Sequence, residues 1–230
     1  MGERYFALKK KQVPSMVKDQ QLIKKRREQM VKGAVTLFKQ KGFHRTTTRE
    51  IAKESGFSIG TLYEYIGSKE DVLYLVCDAI YEEVRDRVEQ YLDSSNASGL
   101  ERLKEAIKSY FKVIDEMQDE VLVMYQESKS LPKEALPYVL YKELDMTNMI
   151  EKIIHDCVEE NVFQLTDEEI KLTAHNISVL SHMWTFRRWA LRKMFTLEEY
   201  IELQTKQILH GILNREGSGQ NERRSVQTET

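Results

Sequence analysis

Residues 48 to 66, Thr-Arg-Glu-Ile-Ala-Lys-Glu-Ser-Gly-Phe-Ser-Ile-Gly-Thr-Leu-Tyr-Glu-Tyr-Ile, hold two short helical patterns hinged at Gly56. Ile51 and Ala52 fall on the inner face of the first, and Ala52 is small enough for a second helix to cross closely over it. Gly56 suits the left-handed backbone that ends a helix, a conformation that costs any residue with a β-carbon more. Ser58 stands where a side-chain oxygen caps the next helix by accepting from an amide near Gly60 or Thr61. Leu62 returns an apolar side chain to the same small core, which leaves Ile59, Gly60, Thr61, Tyr63, Glu64 and Tyr65 to face outward. The pattern predicts a helix-turn-helix with a short-chained polar edge, the kind of surface that enters the DNA major groove. A tight helical hairpin is also an ordinary packing unit, so the flanks decide between the two.

The flanks favour the DNA reading. Lys24 to Lys41 forms an amphipathic helix with Met30, Ala34, Leu37 and Phe38 on one face, closed by Gly42-Phe43. Thr46, Thr47 and Thr48, with Glu50 following, make a capping segment whose hydroxyls can donate to phosphate oxygens. After Ile66, Ser68 caps a further helix with acids in its first turn, and Lys69 lies beside free amides, an anion-binding arrangement.

Gly42-Phe43, Thr46-Thr47, Ile51-Ala52, Gly56-Phe57-Ser58, Gly60, Leu62-Tyr63, Tyr65 and Ser68-Lys69-Glu70 together resemble the N-terminal signature of the tetracycline-repressor (TetR) family of bacterial transcription regulators, over about residues 24 to 73. Ile66 stands where that family usually has an aromatic residue, and Tyr65 where it often has histidine. The resemblance implies that Thr47, Thr48, Tyr63 and Lys69 hold phosphates, and that Arg49, Ser58, Gly60, Thr61 and Tyr65 sit at or near the groove.

At 230 residues the chain has room for much more than this module, which uses about the first third. Residues 1 to 72 carry 16 lysines and arginines against 8 acids, and the remainder 19 against 29, so the net charge of −2 conceals a basic head on an acidic body. Such a head suits a polyanion, where each cation placed on a phosphate releases a counterion. Cys77 and Cys157 stand far apart in apolar helical contexts, without a disulfide framework or a C-x-x-C pair. With no signal peptide and no apolar run of membrane length, the expected location is cytoplasmic.

Past Ser68 the chain reads as all-α. Helices are expected at Ser68 to Leu92, Leu100 to Met117, Glu120 to Lys129, Tyr138 to Asn161, Asp167 to Lys193 and Thr196 to Asn214, with the Leu131 to Pro137 segment forcing a bend. The expected organisation is a basic, mobile arm over 1–22, a three-helix DNA-binding domain over 23–72, a larger helical effector-binding and dimerisation domain over 73–214, and a disordered tail over 215–230. The 167–193 helix carries no formal charge from Leu172 to Phe186 and is apolar on two faces, Ile177, Leu180, Trp184 and Leu191 on one and Val179, Met183, Phe186 and Ala190 on the other. A helix apolar on both sides has two partners. The second partner is expected to be another copy of the chain, the 167–193 and 196–214 helices forming a four-helix bundle on a two-fold axis, as the family resemblance also implies.

Ser178, Ser181, Thr185, Arg188 and Arg192 form a polar stripe beside His182, read either as the seam of that dimer or as the wall of a cavity. In the cavity reading, Trp184, Arg187, Arg188 and Trp189 pack an apolar ligand and pair with its carboxylate or phosphate, while Tyr125, Tyr141 and Asn148 supply other walls. No zinc spacing, nucleophile elbow or phosphate loop occurs, so neither a metal, a cofactor nor catalysis is expected. The reading is a homodimeric DNA-binding regulator, a repressor released from a palindromic double-stranded operator by a small-molecule effector of fatty acyl or acyl-CoA type. The alternatives are a sensor of cationic aromatic compounds, with Glu127 and Asp145 as its acids, or a DNA-tethered helical module without effector.

Overall fold

The computed structural model describes residues 10–93 and 97–213, and among these all regular structure is helical. The order is α1 (Gln20–Lys41), α2 (Thr48–Glu54), α3 (Ile59–Tyr63), α4 (Lys69–Asp93), α5 (Gly99–Glu116), α6 (Gln118–Glu127), a 3-10 turn (Ser128–Ser130), α7 (Leu136–Glu159), α8 (Asp167–Phe186), α9 (Arg188–Leu191) and α10 (Leu197–Leu213). The expected tail at 215–230 lies outside the described residues, as does the arm before residue 10. Two compact units emerge from the contacts. The first comprises the chain up to Asp86 together with Met117–Asp145, the second Arg87–Glu116 and everything from Met146 onward.

In the first unit, local chemistry sets the helix ends. α1 starts at Gln20, four residues before the expected Lys24, because Asp19 caps it by accepting from the amides of Gln21 and Leu22. Gly42 ends α1 at φ 78°, and its amide donates to the Phe38 carbonyl. Thr47 and Glu50 form a reciprocal capping box at α2. Asp71 holds the amides of Gly67 and Ser68, while Ser68 Oγ accepts from the Asp71 amide, so α4 starts on a closed set of bonds. Met30, Ala34, Phe38, Ile51, Ala52 and Leu62 are buried as one core. On the far side of α4, Tyr74 and Tyr138 pack with ring centroids 5.7 Å apart, and the Tyr138 hydroxyl donates to Asp78 at 3.0 Å.

In the second unit α5, α8 and α10 pack on one another. Ile107, Phe111, Ile114, Ile154, Ile170 and Ile177 form its interior. Thr166 and Glu169 build a capping box at α8. The expected continuous helix from Asp167 to Lys193 is interrupted at Arg187 (φ −110°, ψ 22°), after which α9 makes one further turn. The two sides of the break share one acceptor: Asp115 Oδ1 on α5 accepts from Trp184 Nε1 at 2.7 Å and from Arg192 Nη2 at 2.6 Å.

Candidate nucleic-acid interface

The helix-turn-helix forms from its own sequence. Ile51, Ala52 and Leu62 are essentially inaccessible, the Phe57 amide donates to the Ala52 carbonyl, and Gly56 takes φ 76° between the two helices. Ser58 Oγ accepts from the Thr61 amide at 3.0 Å and shares a hydrogen bond with Thr61 Oγ1 at 2.9 Å. A five-residue helix has little stability of its own, so this cap and the buried Leu62 hold α3 in place.

What remains outside is the expected edge, with one exception. Ser58, Ile59, Gly60 and Tyr63 are exposed and Thr61 half-exposed. Thr47 and Arg49 are exposed at the start of α2. The Tyr63 hydroxyl reaches across to Thr48 Oγ1 at 3.2 Å, bringing two of the residues expected on phosphate into one polar cluster. Tyr65 does not face outward: it is 4% exposed and belongs to the core. The helical spacing that predicted its direction stops applying where α3 ends at Tyr63: Glu64 stays exposed as expected, and Tyr65 and Ile66 turn inward.

Lys69 is more engaged than expected. Its ammonium donates to the carbonyls of Phe43 and Thr46, both at 3.1 Å, and stands 4.1 Å from the centre of the Phe43 ring. These bonds close the connection between α1 and α2, and one of its three donors is left over from them. Glu50 ties the same corner from the other side. Lys41 Nζ lies 2.5 Å from Glu50 Oε1, and this bond, with the amide and hydroxyl of Thr47, lowers the Glu50 pKa to about 2. Arg45 was missed from sequence. It is exposed two residues before Thr47, with Nε donating to the Lys41 carbonyl at 2.7 Å, and a basic residue in the turn entering α2 was the available signal.

The residues expected around an effector fall in both units. Tyr125 is exposed and Tyr141 half-exposed in the first. In the second, Asn148 is exposed on α7, Arg187 and Arg188 are exposed where α8 ends, and Trp189 is 66% exposed with the Arg187 guanidinium 5.6 Å from its ring. Trp184 is buried against Tyr200, 5.0 Å between ring centres, and its N–H is held by Asp115.

The polar stripe of α8 faces inward. Ser178 bonds Thr147 at 3.2 Å, Ser181 donates to the Ser178 carbonyl, and Thr185 is buried with its hydroxyl unpaired. The seam reading of Ser178 and Ser181 is therefore corrected: alternation around the helix sends them to the interior and Leu172 and Val179 to the surface. His182 lies 3.5 Å from the Tyr110 hydroxyl, and burial brings its pKa down to about 4, so the imidazole is neutral near pH 7. A groove of about 600 Å³ runs between α5 and α10 past Lys104, Lys108, Lys112, Ile201 and Leu209.

Comparison with known proteins matches residues 31–74 to a model described as bacterial regulatory proteins, tetR family, and residues 96–189 to a tetracyclin repressor-like C-terminal domain. The HTH-type transcriptional regulator HbdR of Aromatoleum sp. (strain CIB) is 30% identical over 190 residues, covering 83% of this chain and 82% of HbdR. Among solved structures, the ketosteroid transcriptional regulator KstR2 of Mycobacterium tuberculosis superposes with a TM-score of 0.61 at 22% identity, covering 88% of this chain and 99% of KstR2. AibR, solved in complex with isovaleryl coenzyme A and operator DNA, superposes with a TM-score of 0.63 at 16% identity over 79% of this chain and 97% of AibR. With a capped reading helix at its head and a relative similar across most of both lengths, the chain belongs to the TetR family of bacterial DNA-binding transcriptional regulators.

Proposed function

We propose that the protein is a homodimeric repressor that occupies an inverted-repeat operator and leaves it when a small acyl or acyl-CoA type ligand enters its body. The observation that carries the DNA half is the exposed edge of α3 beside the exposed start of α2; in this reading Ser58, Gly60, Thr61 and Arg49 sit at or near the groove and Thr47, Thr48, Tyr63, Lys69 and Arg45 meet the flanking phosphates. Tyr65 is left out because its ring is buried. Dimerisation rests on α8 and α10, where Leu172, Val179 and Leu203 are exposed and a groove of about 260 Å³ runs past Leu172, Asn176, Ile208 and Gly211. Two heads on a two-fold axis read two half-sites about one helical turn apart.

The effector half rests on the interior stripe of Thr147, Ser178 and Thr185, with an unpaired hydroxyl, and on Arg187 and Arg188 at the end of α8 as partners for an anionic headgroup. AibR, a structural relative, was solved with an acyl-CoA, which favours this class. The cationic alternative is weakened because Glu127, one of its acids, accepts from the Phe43 amide at 3.1 Å. A thermal-shift series against acyl thioesters, free acids and cationic dyes, followed by operator release with the same compounds, tests the proposal. Stabilisation and release by an acyl thioester, lost in the R187A/R188A double variant, is the expected result. Release by cationic dyes alone overturns the acyl assignment, and no release by any compound overturns the effector model.

A further inference from the structure

Residues 10 to 17 precede the first helix and carry two lysines and a proline, a composition that by itself suggests a loose basic arm. The structure holds this segment on three elements at once. The Met16 amide donates to the Glu64 carbonyl at 2.8 Å, and Ser15 Oγ donates to the same oxygen at 3.1 Å. Arg27 on α1 joins arm and turn: Nη2 donates to the carbonyls of Val13 (2.7 Å), Pro14 (3.2 Å) and Tyr65 (3.1 Å), and Nε donates to Tyr65 at 3.2 Å. Val13 is buried, and a β-carbon on Gly67 would stand 3.0 Å from the Pro14 ring, so the arm lies tightly against the turn that follows α3.

The third anchor is α4. The Lys11 amide donates to the Tyr74 hydroxyl at 2.9 Å, Lys11 Nζ pairs with Asp71 at 2.9 Å, and Lys10 Nζ lies 2.5 Å from Asp78. Asp71 and Asp78 are both buried, and a buried carboxylate stripped of its cation is costly. Lys11 is thus engaged against α4 at both its amide and its ammonium, and Lys10 pairs with Asp78 from a more exposed position.

We propose that residues 10–17 are a strap, with Arg27 as a positioning residue for DNA binding: the strap fixes the end of the reading helix against α1 and α4, and operator affinity depends on it without contact between strap and DNA. The guanidinium sets Nε and Nη2 together on the Tyr65 carbonyl while Nη2 also reaches Val13 and Pro14, a rigid two-nitrogen grip that lysine's single nitrogen on a flexible stem does not reproduce, so lysine is a poor replacement at this position. A group that touches phosphate behaves differently, because lysine there keeps the charge and its removal lowers the salt slope by about 0.9 per contact.

The test measures operator affinity against salt for the full-length protein and its R27Q, R27K and M16P variants, with trypsin cleavage after Lys11 as a readout independent of DNA. M16P removes the amide that donates to Glu64 and leaves every charge in place. The expected result is a loss of about tenfold or more in all three variants with the salt slope unchanged, accompanied by faster cleavage after Lys11. Rescue by R27K, a lowered slope in R27Q, or wild-type affinity in M16P despite faster cleavage overturns the strap. If the wild-type protein binds no duplex in a salt-dependent way, the DNA reading itself fails, an outcome separable from the comparison among variants.

Discussion

Single residues decide how well the head is made, and Glu50 is the clearest case because it joins α2 to α1. Lys41, then the amide and hydroxyl of Thr47, hold its carboxylate ionised down to about pH 2. A folded-state pKa below the unfolded value means stabilisation present above the unfolded pKa and lost as the pH falls through the folded one. The melting-temperature gap between the wild-type protein and the E50Q variant is therefore expected to be constant at neutral pH. It should shrink below about pH 4.5 and close near about pH 2. A gap independent of pH across that window would show that Glu50 acts through shape alone. The same corner shows why exposure is a poor guide to role. Lys69 looks like a surface lysine beside a helix start, yet two of its donors hold carbonyls 23 and 26 residues earlier in the chain.

At the level of helices, α8 and α10 each bury one face and leave another bare. Ala174, Ile177, Ser181 and Trp184 are covered, while Leu172 and Val179 stand open on the opposite side. On α10, Leu203, Gln207 and Gly211 recur at four-residue intervals along an accessible stripe, and a β-carbon on Gly211 would meet nothing within 4 Å. A tryptophan at position 211 is tolerated by the isolated protomer for that reason, apart from a gain of up to about 1 kcal/mol in helix propensity. In a four-helix bundle, whose axes lie about 8–10 Å apart, the same ring has no room. If the proposed dimer forms through these helices, the G211W variant is expected to keep its helical circular dichroism and to sediment as a monomer, and the wild-type protein to sediment as a dimer. A dimeric G211W would move the interface elsewhere.

Several helix ends set by local bonds were legible in the sequence, among them Gly42, Gly56 and Ser58, which act within four residues, whereas the equally local Asp19 cap was not. The break at Arg187 was not legible, and the acceptor that joins its two sides, Asp115, lies 69 residues before Trp184. Nor was the docking of the arm, which depends on Arg27 reaching Tyr65 across 38 residues. Most of the candidate interface was readable because a helix-turn-helix is built from neighbours, whereas Tyr65 was misread where the period that oriented it ended. Which face of α8 is buried was not legible either, since it depends on what the rest of the unit lays against that helix.

Over the whole molecule, charge is divided so that affinity for DNA comes from one end. The residues up to 72 hold an excess of cations and the remainder an excess of acids, which repel the polyanion wherever they approach it. Arg45, Arg49 and Lys69 stand at the proposed edge, with Lys53 exposed on α2 beside them. If each head places about four such cations on phosphates, a dimer places about eight, and the logarithm of the binding constant falls with a slope of about −7 against the logarithm of salt concentration. Lys10 and Lys11 are left out of that number, because the proposed strap pairs them with Asp78 and Asp71. Fluorescence anisotropy on an inverted-repeat duplex, repeated from about 50 to about 200 mM salt, measures the slope directly. Replacing Arg45 and Arg49 together with alanine should bring it to about −3 to −4, because each substitution acts twice in the dimer. A wild-type slope shallower than about −2 would mean that these cations do not meet phosphate, and a steep slope unchanged in the double variant would place the contact surface elsewhere on the head.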